Sequence, residues 1–123
     1  MGGNIDHKKS FEYVYVKLGE LCFPDEKHSF LNTALYKALQ ADDMEMYKEA
    51  YRRGHPSCSL AQEEWEYKKI EDLRNSIAQE GYRPDKGIIV IKKGNIVLNG
   101  YHRTCILLHQ FGPEYEIMAL QQK

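Results

Sequence analysis

The residues best equipped for chemistry lie in one run, Asn99-Gly100-Tyr101-His102-Arg103-Thr104. Arg103 carries a planar guanidinium that can bond two oxygens of a phosphate at once. His102 titrates near neutral pH, so it can donate a hydrogen bond or act as an acid. Gly100 permits a sharp backbone turn with no Cβ to clash. The residues after it open a helix, whose first amides and positive dipole end attract anions. Gly100, Tyr101, His102, Arg103 and Thr104 therefore read as a phosphate cradle. The plainer reading is a tight strand-to-helix turn whose polar side chains cap the helix or face water. A hairpin before the turn and a helix after it favour the anion site.

Other chemistry-bearing groups say less. His102, Cys105 and His109 share one helical face, but the outer two stand about 10 Å apart along a helix axis. That is too far for one ion, so no metal ligand is assigned. Lys48, Arg52, Arg53 and His55 gather near one helix end, where cations complement the C-terminal dipole. Asp42, Asp43, Glu45 and Glu49 in the same stretch argue against a nucleic-acid face. Tyr36, Tyr47, Tyr51, Trp65 and Tyr67 are expected to pack the middle helices onto the core.

The elements that must position the cradle follow from periodicity. Phe11 to Leu18 alternates β-branched and aromatic residues and predicts a strand. Gly19 to Asp25, with Pro24 inside it, is a loop. Ser29 caps a helix over 30–40, with Leu31, Leu35, Ala38 and Leu39 on one face. Asp42 with Glu45 forms a capping box for a helix to Arg53, ended by Gly54 and Pro56. Ser59 with Gln62 caps a longer helix to Glu80, with Tyr67, Ile70, Leu73 and Ile77 inward and a Glu64–Lys68 pair outward. Ile88–Ile91 and Ile96–Leu98 flank a turn at Lys92-Lys93-Gly94-Asn95 and predict a hairpin. His102 to Phe111 is a helix stopped by Gly112-Pro113, and Tyr115 to Leu120 is a final strand. The class is α+β, a small mixed sheet with packed helices.

Composition limits the function. With 123 residues, 42% of them hydrophobic, the chain is expected to form one domain with a real core. A net charge of −1 gives no global attraction to nucleic acid, so DNA binding would need a local basic patch. Three cysteines without a C-x-x-C pair suggest neither a disulfide framework nor a zinc knuckle. No run is long enough to span a membrane, and Met1–Lys9 has no apolar core of the signal-peptide kind and reads as a frayed end. A cytoplasmic protein is the expectation.

The segment ending "SIAQEGY", followed by "GIIVIKKGNIVLNGYHRTCILLHQFG" and a closing strand, resembles the ParB/sulfiredoxin-like superfamily. The likeness runs over about Leu73 to Leu120. The shared features are a Ser-Ile-x-x-x-Gly helix end, a hairpin, and a Gly-x-x-Arg or Gly-x-His-Arg turn opening a helix. The N-terminal strand fits the same fold, and residues 29–53 look like a helical insertion after it. In that superfamily the turn typically holds nucleotide phosphates, CTP in ParB proteins and ATP in sulfiredoxins, and a group of free-serine kinases with this fold also uses Gly-x-His-Arg. The resemblance implies that Gly100, His102 and Arg103 contact phosphate. It also implies that an acidic residue after the first strand serves as base, which points to Glu26 in Pro24-Asp25-Glu26, with Glu20 second.

Two departures narrow that implication. Tyr101 stands where sulfiredoxins carry their catalytic cysteine, so sulfinic-acid repair is not expected. No helix-turn-helix segment follows the module up to Lys123, so partition-type DNA binding is not expected either. The leading expectation is a nucleotide-binding domain, a small ATP-dependent phosphotransferase with Mg²⁺ on the phosphates and a small hydroxyl-bearing acceptor. Glu26 and His102 are then its catalytic pair. The competing expectation is a non-catalytic module that holds DNA backbone or a partner.

Overall fold

A computed structural model describes residues 10–23 and 29–123. The chain is α+β, as its patterning predicts. Strand β1 covers Phe11–Lys17, and helices α1 (Ala34–Ala41), α2 (Met44–Gly54) and α3 (Leu60–Glu80) follow it. Then come β2 (Val90–Lys92), β3 (Ile96–Asn99), helix α4 (Tyr101–Phe111) and β4 (Glu116–Gln122). The sheet order is β1-β4-β2-β3. β4 runs antiparallel to β1 and parallel to β2, while β2 and β3 form the antiparallel hairpin.

Register follows from the period of two. Val14 and Val16 stand opposite Ala119 and Ile117, and these four turn one face of the β1–β4 pair inward. Tyr13 and Tyr15, opposite Leu120 and Met118, occupy the more open face. Gly94 and Asn95 take positive φ angles of 91° and 60° at the hairpin turn. A glycine and an asparagine are residues that adopt this conformation at little cost.

Helix α4 lies at the centre of the core. Thr104, Cys105, Ile106, Leu107 and Leu108 are all buried in succession, so the helix is covered on every side along its middle. Leu35, Leu39, Ile70, Ile89, Ile91 and Val97 close around it in the same cluster. Helix α4 thereby packs on α3, and Gly100 before it lies against Ile89.

Several local expectations need correcting. The helix expected over 30–40 is split. Ser29 caps a single 3₁₀ turn, Phe30–Asn32, and Thr33 then adopts extended backbone and caps α1 by accepting from the Tyr36 amide. The capping residue of α2 is Asp43, which accepts from the Glu45 amide, and Asp42 ends α1 in the left-handed region at φ 51°. The expected Glu64–Lys68 pair is replaced by Lys48–Glu64 and Lys68–Asp72. Trp65 does not pack the core. It is 64% exposed, with the Lys69 ammonium 4.5 Å from its ring centroid.

Candidate functional site at the start of the last helix

The cradle is built where β3 ends. Gly100 caps α4 at φ 112°, a backbone that glycine adopts freely, and a Cβ there would meet the Ile89 side chain at 3.0 Å. Gly100 itself has no side chain with which to cap this helix. The first amides of an α-helix have no acceptor within the helix, so this end presents donors and a partial positive charge. In front of it lies a cleft of about 590 Å³, lined by Lys69, Asp72 and Leu73 of α3 and by Asn99 to Arg103.

Arg103 is half-buried at this cleft and makes no hydrogen bond or ion pair among the described residues. Its guanidinium lies against the backbone of Gly87, where a Cβ would come within 2.6 Å of Nη1. Tyr82 stands close enough to feel the Arg103 charge. Burial pushes its hydroxyl up, while Arg103 and the hydrogen bond from the Ile89 amide pull it down. That hydroxyl also donates to the Met118 carbonyl at 2.8 Å, pinning the segment before β2 to the sheet. The cation is thus supported on one side by fixed backbone and open to the cleft on another.

His102 is placed differently from a simple phosphate donor. Its Nε2 lies 3.1 Å from Glu66 Oε2. Glu66 is buried on α3, and the same oxygen accepts from the Tyr47 hydroxyl of α2 at 3.1 Å. Lys69 lies 3.4 Å from the other carboxylate oxygen. Burial holds the imidazole below its ordinary range against the pull of Glu66, and Lys69 adds to the lowering. The Tyr47 hydroxyl is pushed well up by burial and by Glu66.

One expected contact does not reach the cleft through its side chain. The Thr104 hydroxyl is buried and donates to the Gly100 carbonyl at 2.7 Å, and its amide donates to the same atom. Thr104 therefore shapes the turn rather than touching a ligand. The Tyr101 ring packs against Phe23 and Phe30, with centroids at 4.9 and 5.8 Å. Glu26 lies outside the described residues. Glu20 is exposed at the end of a 3₁₀ turn after β1 whose first residue, Leu18, is buried.

Sequence patterning passed over Glu66 and Glu63. Both lie on the face of α3 that continues through Ile70, Leu73 and Ile77, so the inward stripe begins with two carboxylates. A search for apolar periodicity rejects such positions. The available signal was the spacing 63, 66, 70, which keeps one face. Glu63 accepts three hydrogen bonds from Arg52, at 2.7 to 3.0 Å. That occupies part of the basic cluster expected at the end of α2. Cys105 is buried beside the Thr33 hydroxyl at 3.3 Å, and burial pushes its thiol up to about 11, so it is inert as a nucleophile at neutral pH.

Comparison with protein-family models, with curated proteins and with solved structures gives no match to this chain. The reading of the site therefore rests on its own geometry. Among the described residues no group of three His, Cys, Asp or Glu gathers to hold a metal ion, and no helix is long and apolar enough to cross a membrane.

Proposed function

We propose that this chain is a nucleotide-binding domain of ParB/sulfiredoxin-like type that holds phosphates at the start of α4 and transfers one to a small hydroxyl-bearing acceptor. The observation that supports it is the cleft between α3 and the start of α4, into which opens an Arg103 that has no counter-ion among the described residues. A half-buried guanidinium with no carboxylate partner is costly to maintain, and an arriving phosphate would satisfy it with two parallel hydrogen bonds. Lys69 adds a second cation on the opposite wall.

Mg²⁺ fits this site only as an ion carried on the phosphate oxygens. Asp72 is the one carboxylate among the residues lining the cleft, and Mg²⁺ commonly keeps several waters beside one or two carboxylates. When bound, the ion would neutralise charge on the transferring group. The protein's own contribution is to grip the phosphates with Arg103 and the first turn of α4.

One observation favours a second reading. Asp72 is turned to Lys68 at 3.5 Å and stands in solvent, so it is poorly placed as a dedicated base. A site with a grip but no base would bind without turnover, as a nucleotide-switched or DNA-backbone-binding module. Binding of DNA would weaken steeply with added salt, whereas turnover would mark the phosphotransferase.

The deciding experiment is a thermal-shift series with ATP, CTP, GTP and ADP, each with and without Mg²⁺. A ligand that binds only the folded chain raises Tm by mass action. The wild-type chain should be stabilised by at least one of these, and Arg103→Ala should lose the shift while melting within about 0.5 kcal/mol of wild type when free. No shift with any nucleotide would reject the proposal.

A further inference from the structure

The Tyr47–Glu66–His102 chain links three helices and ends at the cleft, and the proposed grip on phosphate uses none of its hydrogen bonds. A carboxylate can only accept, so the proton in the 3.1 Å contact with Glu66 sits on His102 Nε2. The neutral ring then has its lone pair on Nδ1. Among the described residues nothing hydrogen-bonds to that nitrogen. His102 itself lines both the 590 Å³ cleft and a smaller apolar pocket behind it, of about 220 Å³. A buried acid that fixes one ring nitrogen of a histidine, and leaves the other as acceptor beside a cleft, is the arrangement by which a carboxylate orients a histidine base.

We propose that His102 is the general base of this site and that Glu66, steadied by Tyr47, is its positioning residue. The inference rests on the phosphotransferase reading above and relocates the base from the loop after β1 to α4. In the step, the acceptor oxygen forms its bond to the terminal phosphorus while His102 Nδ1 takes the hydroxyl proton. The bridging P–O bond breaks, and its electron pair leaves on the nucleoside diphosphate. The imidazolium so formed is stabilised by Glu66 through Nε2–H and later returns its proton to water.

Charges facing the ring set the expected titration. Glu66 and Lys69 face it from α3, Tyr47 from α2, and Arg103 is its neighbour on α4. Glu66→Gln removes the negative charge, so the His102 midpoint should fall by about one pH unit or more. Tyr47→Phe removes the hydroxyl that competes for Glu66 Oε2. The carboxylate then holds the imidazolium more strongly, and the midpoint should rise. A residue that served only packing would not move the midpoint in opposite directions.

The test combines histidine-selective NMR titration of the full chain with MgATP turnover, water or a small alcohol serving as acceptor. The titration should show the Nε2–H tautomer for His102 and the two opposite shifts. His102→Asn should slow turnover about a hundredfold while keeping the nucleotide-dependent Tm rise, and Glu66→Gln should slow it less. If Glu66→Gln does not fold, the Tyr47→Phe shift and the His102→Asn rate still decide. An Nδ1–H tautomer, no shift in either variant, nucleotide binding without turnover, or turnover lost in Glu26→Ala but untouched in His102→Asn would each overturn the relay. Absence of any nucleotide-dependent Tm rise would instead remove the phosphate reading beneath it.

Discussion

Arg103 owes its position to a residue with no side chain. Gly87 lies so close that a Cβ would come within 2.8 Å of the guanidinium carbon. Gly87→Ala should therefore push the head of Arg103 away. The Arg side chain is flexible, so the fold should tolerate the change, and the free chain should melt close to wild type. Isothermal calorimetry with MgATP should show affinity falling about tenfold, the equivalent of roughly 1.4 kcal/mol; unchanged affinity would show that Arg103 does not grip the ligand. Gly100 behaves in the opposite way. Its φ of 112° strains any residue with a Cβ, and a methyl group there would press on the Ile89 side chain at 3.0 Å. Gly100→Ala should cost about 1–3 kcal/mol in a urea titration of the free chain, because the strain is present with or without ligand. The Gly-x-His-Arg run was legible in the sequence as a turn that opens a helix. The engagement of His102 by Glu66, 36 residues earlier in the chain, was not, because that contact joins two helices.

At the scale of elements, caps decided the boundaries, and local sequence carried some of them. Ser59 and Gln62 form the reciprocal capping box their spacing predicts, with the Gln62 amide donating to Ser59 Oγ and the Ser59 amide donating to Gln62 Oε1. Both residues are exposed, so Ser59→Ala should cost about 1 kcal/mol through the cap alone, read as a lower urea midpoint with an unchanged slope. A change in slope would mean the variant alters more than the helix end. The segment from Ser29 to Asp43 was less legible, because Ser29, Thr33, Asp42 and Asp43 are all capable caps. The burial of Phe30 and Leu35 in one core places a corner at Thr33, which a pattern of apolar residues read as one continuous helix. Asp42 was free to take the left-handed position and leave the capping of α2 to Asp43.

For the whole molecule, acid stability should follow its ion pairs. Arg52 holds the Glu63 carboxyl below the usual carboxylate range, Lys86 does the same for Glu80, and Arg83 for Asp85. A carboxylate whose folded value is depressed stabilises the fold at pH values above its unfolded value, which is about 4. That contribution is lost as pH falls through the folded value. Tm should therefore hold from neutral pH to about 5 and drop below it, and Glu63→Gln should lower the neutral Tm and flatten the acid limb. A variant with an acid limb as steep as wild type would show that this pair does not govern it. Strand and helix identity, the hairpin and the glycine turn were determined by the sequence itself, because alternation, helical period, caps and backbone freedom act over a few neighbouring residues. Tertiary structure alone decided that α4 is the buried centre, that Arg103 stands at a cleft with no counter-ion among the described residues, and that two glutamates of α3 face inward. Those facts depend on which surfaces meet when distant segments pack. A glutamate is read from sequence as a solvated charge until the fold supplies the arginine, the tyrosine and the histidine that make its burial affordable.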